Sequence, residues 1–399
     1  MTDAAFAEVF IEYAARRWQA ATRAPAQCVA GVKDMREATA LGPEWDALAE
    51  NALEENPSFD RQIVRAGIDA FRDARPARVL TLRLRGCGRL VGLIPFYTPR
   101  LIDASPVQHA QSALNLYQFN GVPLIDRQHA DAAVKSFLRI LALGGDVPRR
   151  WLLPHVQQNG PFAQKLRRHA DDFGLDVLVT RPYSRPILTR LPGGFGAHVE
   201  TIIGRKRAKT LERGLRGLEA IGAVRFERAT DPDLVARRIE DFLRIEHSGW
   251  KGARGTSFLA RPADAAFARR AFAYGRPGFI KVDSLLLDEV PIAVSINIDN
   301  GGTLFTPKCA YDESYRRHAP GLVLEYLVIK EFYDSDDHEL MDASTTADGH
   351  VIAGLWTDTR PMGTLIVGPK GHGTRSIALA ETAKSHARRY AKRFLRRDR

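Results

Sequence analysis

Residues 308–322 read KCAYDESYRRHAPGL, and their pattern sets how the chain around them is divided. An apolar, strand-like run reaches Tyr311. A polar turn carrying Arg316 and Arg317 follows, and Ala319-Pro320-Gly321 then opens the apolar helical run GLVLEYLVIKEFYD. Pro320 suits a first-turn position, where its missing N–H costs nothing. A helix start offers unpaired backbone N–H groups and the positive end of the helix dipole. Small residues there let an anion approach the backbone, and arginines add fork-shaped donors. A strand, a basic turn and a helix start thus form a candidate pyrophosphate cradle made of Arg316, Arg317, Ala319, Pro320, Gly321 and Leu322. The plain alternative is an ordinary strand-to-helix connection with solvated arginines.

Upstream, FIKVDSLLLDEVPIAVSINIDNGGTLFTPKCAY predicts three strands joined by tight turns at Asp288-Glu289 and Asn300-Gly301-Gly302. Before them lie a basic helix (ETIIGRKRAKTLERGLRGLEAIG), the strand AVRFERA and a helix capped by Asp231. Downstream come a short strand at HELMDAS, another at 364–368 and a terminal helix over 375–397. The first half has a comparable order. A helix over 1–22 is followed by the strand CVAGVKD, a helix opened by Pro43, and a hairpin from VLTLRLRG and RLVGLIPFYTP. A strand at LNLYQFNGVPL, a helix over 128–144, the strand RRWLLPHV, the helix PFAQKLRRHADDF and the strand LDVLVTRP complete it. The expectation is an α/β chain of two similar units, each a mostly antiparallel mixed sheet flanked by helices. The boundaries fall at 1–24 for an N-terminal helix, 25–185 and 186–370 for the units, and 371–399 for a basic terminal helix.

Composition bounds the function. In 399 residues, 45% hydrophobic and 26% charged, there is enough apolar material for packed cores rather than disorder. No apolar run approaches the roughly 18–20 residues of a membrane span. The N-terminus places acids before bases, the reverse of a signal peptide, so a cytoplasmic location is expected. Cys28, Cys87 and Cys309 are far apart and odd in number, which predicts neither a disulfide framework nor a cysteine zinc site. The net charge of +11 is concentrated. Residues 384–399 hold eight bases and one acid, and residues 205–216 six bases and one acid, so the remainder is nearly neutral. The terminal run reads as a solvated helix face or as an anchor for anionic membrane or nucleic acid.

A catalytic site beside such a cradle needs a group that takes a proton and donors that steady developing negative charge. Tyr311, Asp312, His318 and Asp342 are the candidate proton-handling groups, and Lys308 is a candidate to bind substrate or pair with an acid; the residues alone do not choose a base among them. Other chemistries find no support. His338-x-x-x-Asp342 lacks the glycine of the acyltransferase signature it imitates. Gly363–Gly368 is followed by Pro369 where a phosphate-binding loop needs lysine, and GxSxG and HExxH are absent. No metal is expected.

Arg316-Arg317-His318-Ala319-Pro320-Gly321 resembles the acyl-coenzyme A loop R/Q-x-x-G-x-G/A of GNAT-type acetyltransferases, with Ala319 at the first glycine. The wider chain, over about residues 40–370, resembles the CelD/BcsL-like branch of that superfamily, which is related in fold to the FemAB peptidyltransferases. The matching stretches are EWDALAENALEENPSF (44–59), GRLVGLIPFY (88–97), LYQFNGVPLID (116–126), RKRAKTLERGLRGLEAIGAVRFE (205–227), PIAVSI (291–296), KCAYDESYRRHAPG (308–321), Asp342 and Trp356. The resemblance implies two tandem GNAT-like units with the donor site in the second. Acetyl-coenzyme A would be the donor, and an amine or hydroxyl on a small molecule, sugar or polysaccharide precursor the acceptor. It places Lys206, Arg207 and Trp356 with the substrate and Lys308, Tyr311, Asp312 and Asp342 along the acceptor cleft. Two other functions compete: aminoacyl transfer from aminoacyl-tRNA, and a non-catalytic fold that binds an anionic surface or nucleic acid through residues 384–399.

Overall fold

The computed structural model describes residues 27–71, 76–99, 107–347, 352 and 354–397, with side chains described up to residue 387. The helix expected over 1–22 lies outside them. Two compact units divide the chain. One draws on Met1–Arg61, Arg75–Tyr183 and Pro361–Arg399, the other on Gln62–Ala74 and Ser184–Arg360.

The first unit begins with β1 (Cys28–Asp34) and α1 (Gly42–Glu50), then β2 (Arg78–Leu84), β3 (Leu90–Tyr97) and the short β4 (Ala110–Ser112) and β5 (Leu124–Ile125). It continues with α3 (Ala130–Leu143), β6 (Trp151–Gln157), α4 (Pro161–Ala170) and the first part of β7 (Leu175–Thr189); α2 (Arg61–Ala70) precedes β2 in the chain. A late strand, β13 (Asp358–Pro369), and the terminal helix α9 (His372–Arg397) complete it. Its sheet runs β1-β2-β3-β4-β6-β13-β7, so residues 361–369 insert between two strands of the first half. The core is the apolar face of α3, with Phe137, Leu138 and Leu141 packed on Trp151, Phe96 and Val367. Phe137 meets Trp151 edge-on at 5.2 Å between centroids.

The stretch 114–124, expected as a strand, is irregular up to Leu124. Side chains satisfy its backbone instead. Asn56 Nδ2 donates to the Val122 carbonyl at 2.6 Å, and Ser58 Oγ accepts from the N–H groups of Phe119 and Asn120 at 3.1 Å. Asn120 Oδ1 takes the Val122 N–H. Gly121 is required there, because a Cβ would strike the Pro154 carbonyl of β6. The period-two pattern was real; the competing local hydrogen bonds of Asn, Ser and Gln win.

The second unit holds the end of β7 (184–189), α5 (Arg205–Glu219), β8 (Val224–Ala229) and α6 (Pro232–Ser248). It goes on through α7 (Pro262–Ala268), β9 (Ile280–Leu287), β10 (Val290–Asn300), β11 (Thr303–Tyr311), α8 (Pro320–Asp334) and β12 (Leu340–Asp342). Its sheet order is β7-β12-β11-β10-β9-β8. The two turns expected between β9, β10 and β11 are present. Asp288 and Glu289 both have positive φ, +48° and +65°, the signature of a tight hairpin turn with left-handed central residues. α2 belongs to this unit: Gln62 Nε2 donates to the Ala271 carbonyl at 2.8 Å, and Phe71 stacks on Phe267 at 5.5 Å. Asp231 caps α6 by accepting from the N–H groups of Asp233 and Leu234, as its position predicted.

Candidate active site

The site is built on one parting of strands in the second unit. β11 and β12 are parallel and share three register pairs, Thr303↔Leu340, Leu304↔Met341 and Phe305↔Asp342. β12 ends there. The chain turns away through Ser344, at φ +54°, whose N–H is held by Asp342 Oδ1 at 2.7 Å. β11 runs on to Tyr311 with β10 as its sole strand neighbour among the described residues. Its free edge over 306–311 therefore carries backbone donors and acceptors that no strand satisfies, a template for an extended ligand.

Successive side chains of that edge point to opposite faces. Lys308 faces α6, its Nζ 5.1 Å from the centre of the Phe258 ring. Burial and the nearby Lys251 charge bring its ammonium down to about 8. Lys251 is itself held by the buried Glu246 at 2.7 Å. Cys309 points to the α8 face. Solvent reaches it, yet the protein around it pushes the thiol up to about 12, the charge of Glu325 adding to the rise.

Cys309 stands at the end of a polar row crossing four strands, Arg228↔Asp283↔Ser295↔Cys309. Arg228 forks onto Asp283 at 2.7 and 2.9 Å. Asn297 Nδ2 donates to the same carboxylate at 2.8 Å, and Ser295 Oγ donates to Asn297 Oδ1 at 3.0 Å. Buried charges that are paired and fully bonded keep one arrangement, so this row braces the strand that carries the open edge.

α8 covers that row and supplies Glu325, which sequence reasoning missed. One oxygen of its buried carboxyl accepts the Trp356 indole N–H at 2.6 Å; the other has no hydrogen-bond partner among the described residues. Burial raises its pKa to about 7, and Asp283 adds to the rise. A glutamate within an apolar helical run was the one available signal, because a charge on a buried face needs a reason.

The helix start is as the sequence suggested. Asp312 caps the turn Glu313–His318, its Oδ1 accepting from the Ser314 N–H at 2.9 Å and Oγ at 2.7 Å. Ala319 then adopts the left-handed conformation, φ +50° and ψ +51°, which glycine takes freely and alanine only at a cost. Pro320 opens α8, whose first residues have no side-chain cap. A Cβ on Gly321 would meet Tyr311 Cδ1 at 3.0 Å, so Tyr311 lies flat against the first turn. Arg316 and Arg317 are exposed, and Arg317 Nε donates to His318 Nε2 at 2.8 Å.

The structure thus brings together Lys308, Tyr311, Asp312, Arg316, Arg317, Ala319, Pro320, Gly321 and Leu322 along one strand end, turn and helix start. Asp342 stands at the fork of the strands, buried. Arg185 approaches its Oδ1 at 3.6 Å and Arg360 its Oδ2 at 3.3 Å, so both oxygens already hold cations. Trp356 is buried and serves Glu325. Lys206 is exposed on α5, whereas Arg207 is half-buried, its guanidinium 3.1 Å from where a Gly354 Cβ would stand. Among the described residues no cluster of His, Cys, Asp or Glu fits a metal ion. No helix among them is long and apolar enough to cross a membrane.

Residues 205–350 match the family model described as an acetyltransferase (GNAT) domain. No curated protein matches the chain. Two solved structures share its fold. The C-terminal DUF2156 domain of a protein assigned as a lysylphosphatidylglycerol synthetase from Agrobacterium fabrum is 13% identical, with 88% of this chain and 96% of that one covered at a TM-score of 0.52. FemX is 10% identical, with 81% and 94% covered at the same TM-score of 0.52. At such identities the likeness is one of fold: a mixed α/β chain with mostly antiparallel sheets and flanking helices.

Proposed function

We propose that the second unit is an acyltransferase that moves an acetyl group from acetyl-coenzyme A to an amine or hydroxyl acceptor, on a small molecule, sugar or polysaccharide precursor. The parting of β11 from β12 beside an uncapped helix start carries this reading. An extended amide-bearing arm matches the unpaired edge of residues 306–311, and a pyrophosphate matches the start of α8 at Gly321 with Arg316 and Arg317 in the turn before it, although the Leu322 N–H already donates to the Ala319 carbonyl at 2.9 Å. The GNAT match over 205–350 covers these same elements.

Acetyl-coenzyme A would supply an activated thioester when bound. In the transfer the acceptor nitrogen or oxygen would bond to the thioester carbonyl carbon, the carbon–sulfur bond would break, coenzyme A would leave as its thiolate, and the proton lost by the acceptor would end on that sulfur. Lys308 is the group we assign to take that proton first. An amine with a pKa near 8 keeps a useful neutral fraction at neutral pH, and the same pKa lets it hand the proton on. Asp342, braced by two arginines, keeps the fork of the strands in place. Asp312 and Tyr311 shape the turn and the first turn of α8.

Calorimetric titration with acetyl-coenzyme A is the test. Saturable one-site binding to the folded protein supports the reading, and its absence overturns it. Transfer that depends on coenzyme A and survives ribonuclease separates it from an aminoacyl-tRNA donor.

A further inference from the structure

The fork of the strands holds a guanidinium that the fold does not use up. Arg360, the last residue of the second unit, gives Nη1 to Asp342 Oδ2 at 3.3 Å. It makes no other hydrogen bond or ion pair among the described residues, and 27% of its side chain is exposed. Asp342 is held without it: Oδ1 accepts the Ser344 N–H at 2.7 Å and faces the buried Arg185 at 3.6 Å. One carboxylate thus stands between two guanidiniums, and Nε and Nη2 of Arg360 are left over. A partly buried cation with free forked donors calls for a second anion, because charge withdrawn from water needs a partner.

Strand register fixes where this cation opens. Phe305 pairs with Asp342 on one side and with Ile298 on the other. Lys308 pairs with Ile296, since β11 uses three residues there to the two of β10. Ile296 and Ile298 point to one face, so Asp342, Phe305 and Lys308 share it. Arg360 therefore meets Asp342 on the α6 face, where Lys308 stands, and the two rows are about 7 Å apart along β10. Thr306, the first residue of the open edge, ties that edge to the fork by donating from Oγ1 to the Asp342 carbonyl at 3.5 Å. The start of α8 lies beyond Tyr311, about 20 Å along β11 from Phe305. A pyrophosphate seated there does not reach Arg360.

We infer that Arg360 is the subsite for a phosphate carried by the acceptor, set several ångströms from the amine or hydroxyl that reacts. The inference rests on the acyltransferase reading above and narrows its acceptor to an anion. The nucleophile stands by Lys308 and the phosphate on Nε and Nη2 of Arg360, whose fork matches two phosphate oxygens. An α-amino acid does not fit this spacing, because its amine and its acid group sit on one carbon. An amino sugar phosphorylated at the far side of its ring does.

The experiment fills the donor site with saturating coenzyme A and then titrates inorganic phosphate, glucosamine 6-phosphate and glucosamine by calorimetry at constant ionic strength. It uses the full chain, Arg360→Gln and Arg360→Lys, with a thermal melt to show that each variant is folded. Inorganic phosphate should bind one site and compete with the sugar phosphate, and glucosamine 6-phosphate should bind about tenfold or more tighter than glucosamine. Arg360→Gln should weaken both phosphates by about the same factor while binding coenzyme A as the parent does, and Arg360→Lys should keep part of the preference. Phosphate binding that is absent, or equal in the full chain and Arg360→Gln, overturns the subsite, as does a sugar phosphate bound no tighter than the sugar. The donor reading then stands, provided coenzyme A binds. If coenzyme A itself fails to bind, the donor reading falls, and the comparison of phosphate binding with and without Arg360 still decides the subsite.

Discussion

Glu325 and Lys308 lie on opposite faces of the open strand, and each has been moved toward neutrality by burial. For Glu325 the folded-state pKa of about 7 lies above the ordinary value of 4.5, so the fold favours the protonated acid. Its stabilising share is complete below pH 4.5 and is lost as pH rises through 7. Glu325→Gln keeps an acceptor for the Trp356 indole and removes the charge. Urea unfolding should find the two proteins equally stable near pH 4 and the variant more stable by about 3 kcal/mol at pH 8. Parallel stabilities from pH 4 to 8 would refute a near-neutral carboxyl. For Lys308 the shift runs downward, to about 8, so the neutral amine gains as pH rises through 8. If it accepts the acceptor's proton, the pH–rate profile of kcat rises through that region. Lys308→Met should cost about 10²–10⁴ in kcat at pH 8.5 and remove that limb. A variant that keeps the limb assigns the proton to another group. Lys308 was legible in the sequence as a polar residue near the end of a strand that leads into the turn, though as a group to bind substrate or pair with an acid rather than as the base. Glu325 was not, because helical periodicity does not say that a glutamate in an apolar helix lies against a strand two elements away.

At the scale of elements, the strand–turn–helix from Lys308 to Leu322 was legible for a local reason: proline, small residues and a cap sit at positions with one cheap conformation each. Ala319 shows how tightly that conformation is set, since it takes left-handed angles where glycine would do so freely. The stretch 114–124 was misread for a non-local reason, since its hydrogen-bond partners Asn56 and Ser58 lie about sixty residues earlier. The seating of α5 on the turn was equally hidden: a Cβ on Gly214 would stand 2.5 Å from the His318 carbonyl oxygen and one on Gly217 would strike the His318 ring, so these glycines look like faults in a helix until the neighbour is known. Gly217→Ala tests that seating. Helix propensity alone predicts a gain of about 1 kcal/mol. A methyl group driven into the His318 ring predicts instead a loss of about 1–3 kcal/mol, with the turn displaced and acetyl-coenzyme A bound more weakly. A variant more stable than the parent would mean that α5 does not need the close approach.

Over the whole molecule, the repeated order of helices and strands predicted two α/β units, and each has its sheet and core. What repetition did not reveal is that the first sheet is completed by a late strand, whereas the strands of the second all come from residues 184–342. β7 supplies residues 175–183 to the first unit and 184–189 to the second, where Ile187, Leu188 and Thr189 pair with β12. β13 supplies its residues from 361 onward to the first unit, pairing Met362–Val367 with β6. Local pattern marks 364–368 as a strand without saying which sheet takes it, because several apolar strands fit any buried slot equally well. The consequence is testable with fragments. A chain ending at 185 lacks the strand between β6 and β7. It leaves two facing edges unpaired and removes Leu365, Ile366 and Val367, all fully buried, from the core. Such a fragment is expected to aggregate or to melt without a cooperative transition. The same fragment joined by a flexible linker to residues 358–399 regains the missing strand and the packing of Ile377 on Ile366, and should melt cooperatively by circular dichroism. Cooperative melting of the shorter fragment would show that the first unit does not depend on the late strand.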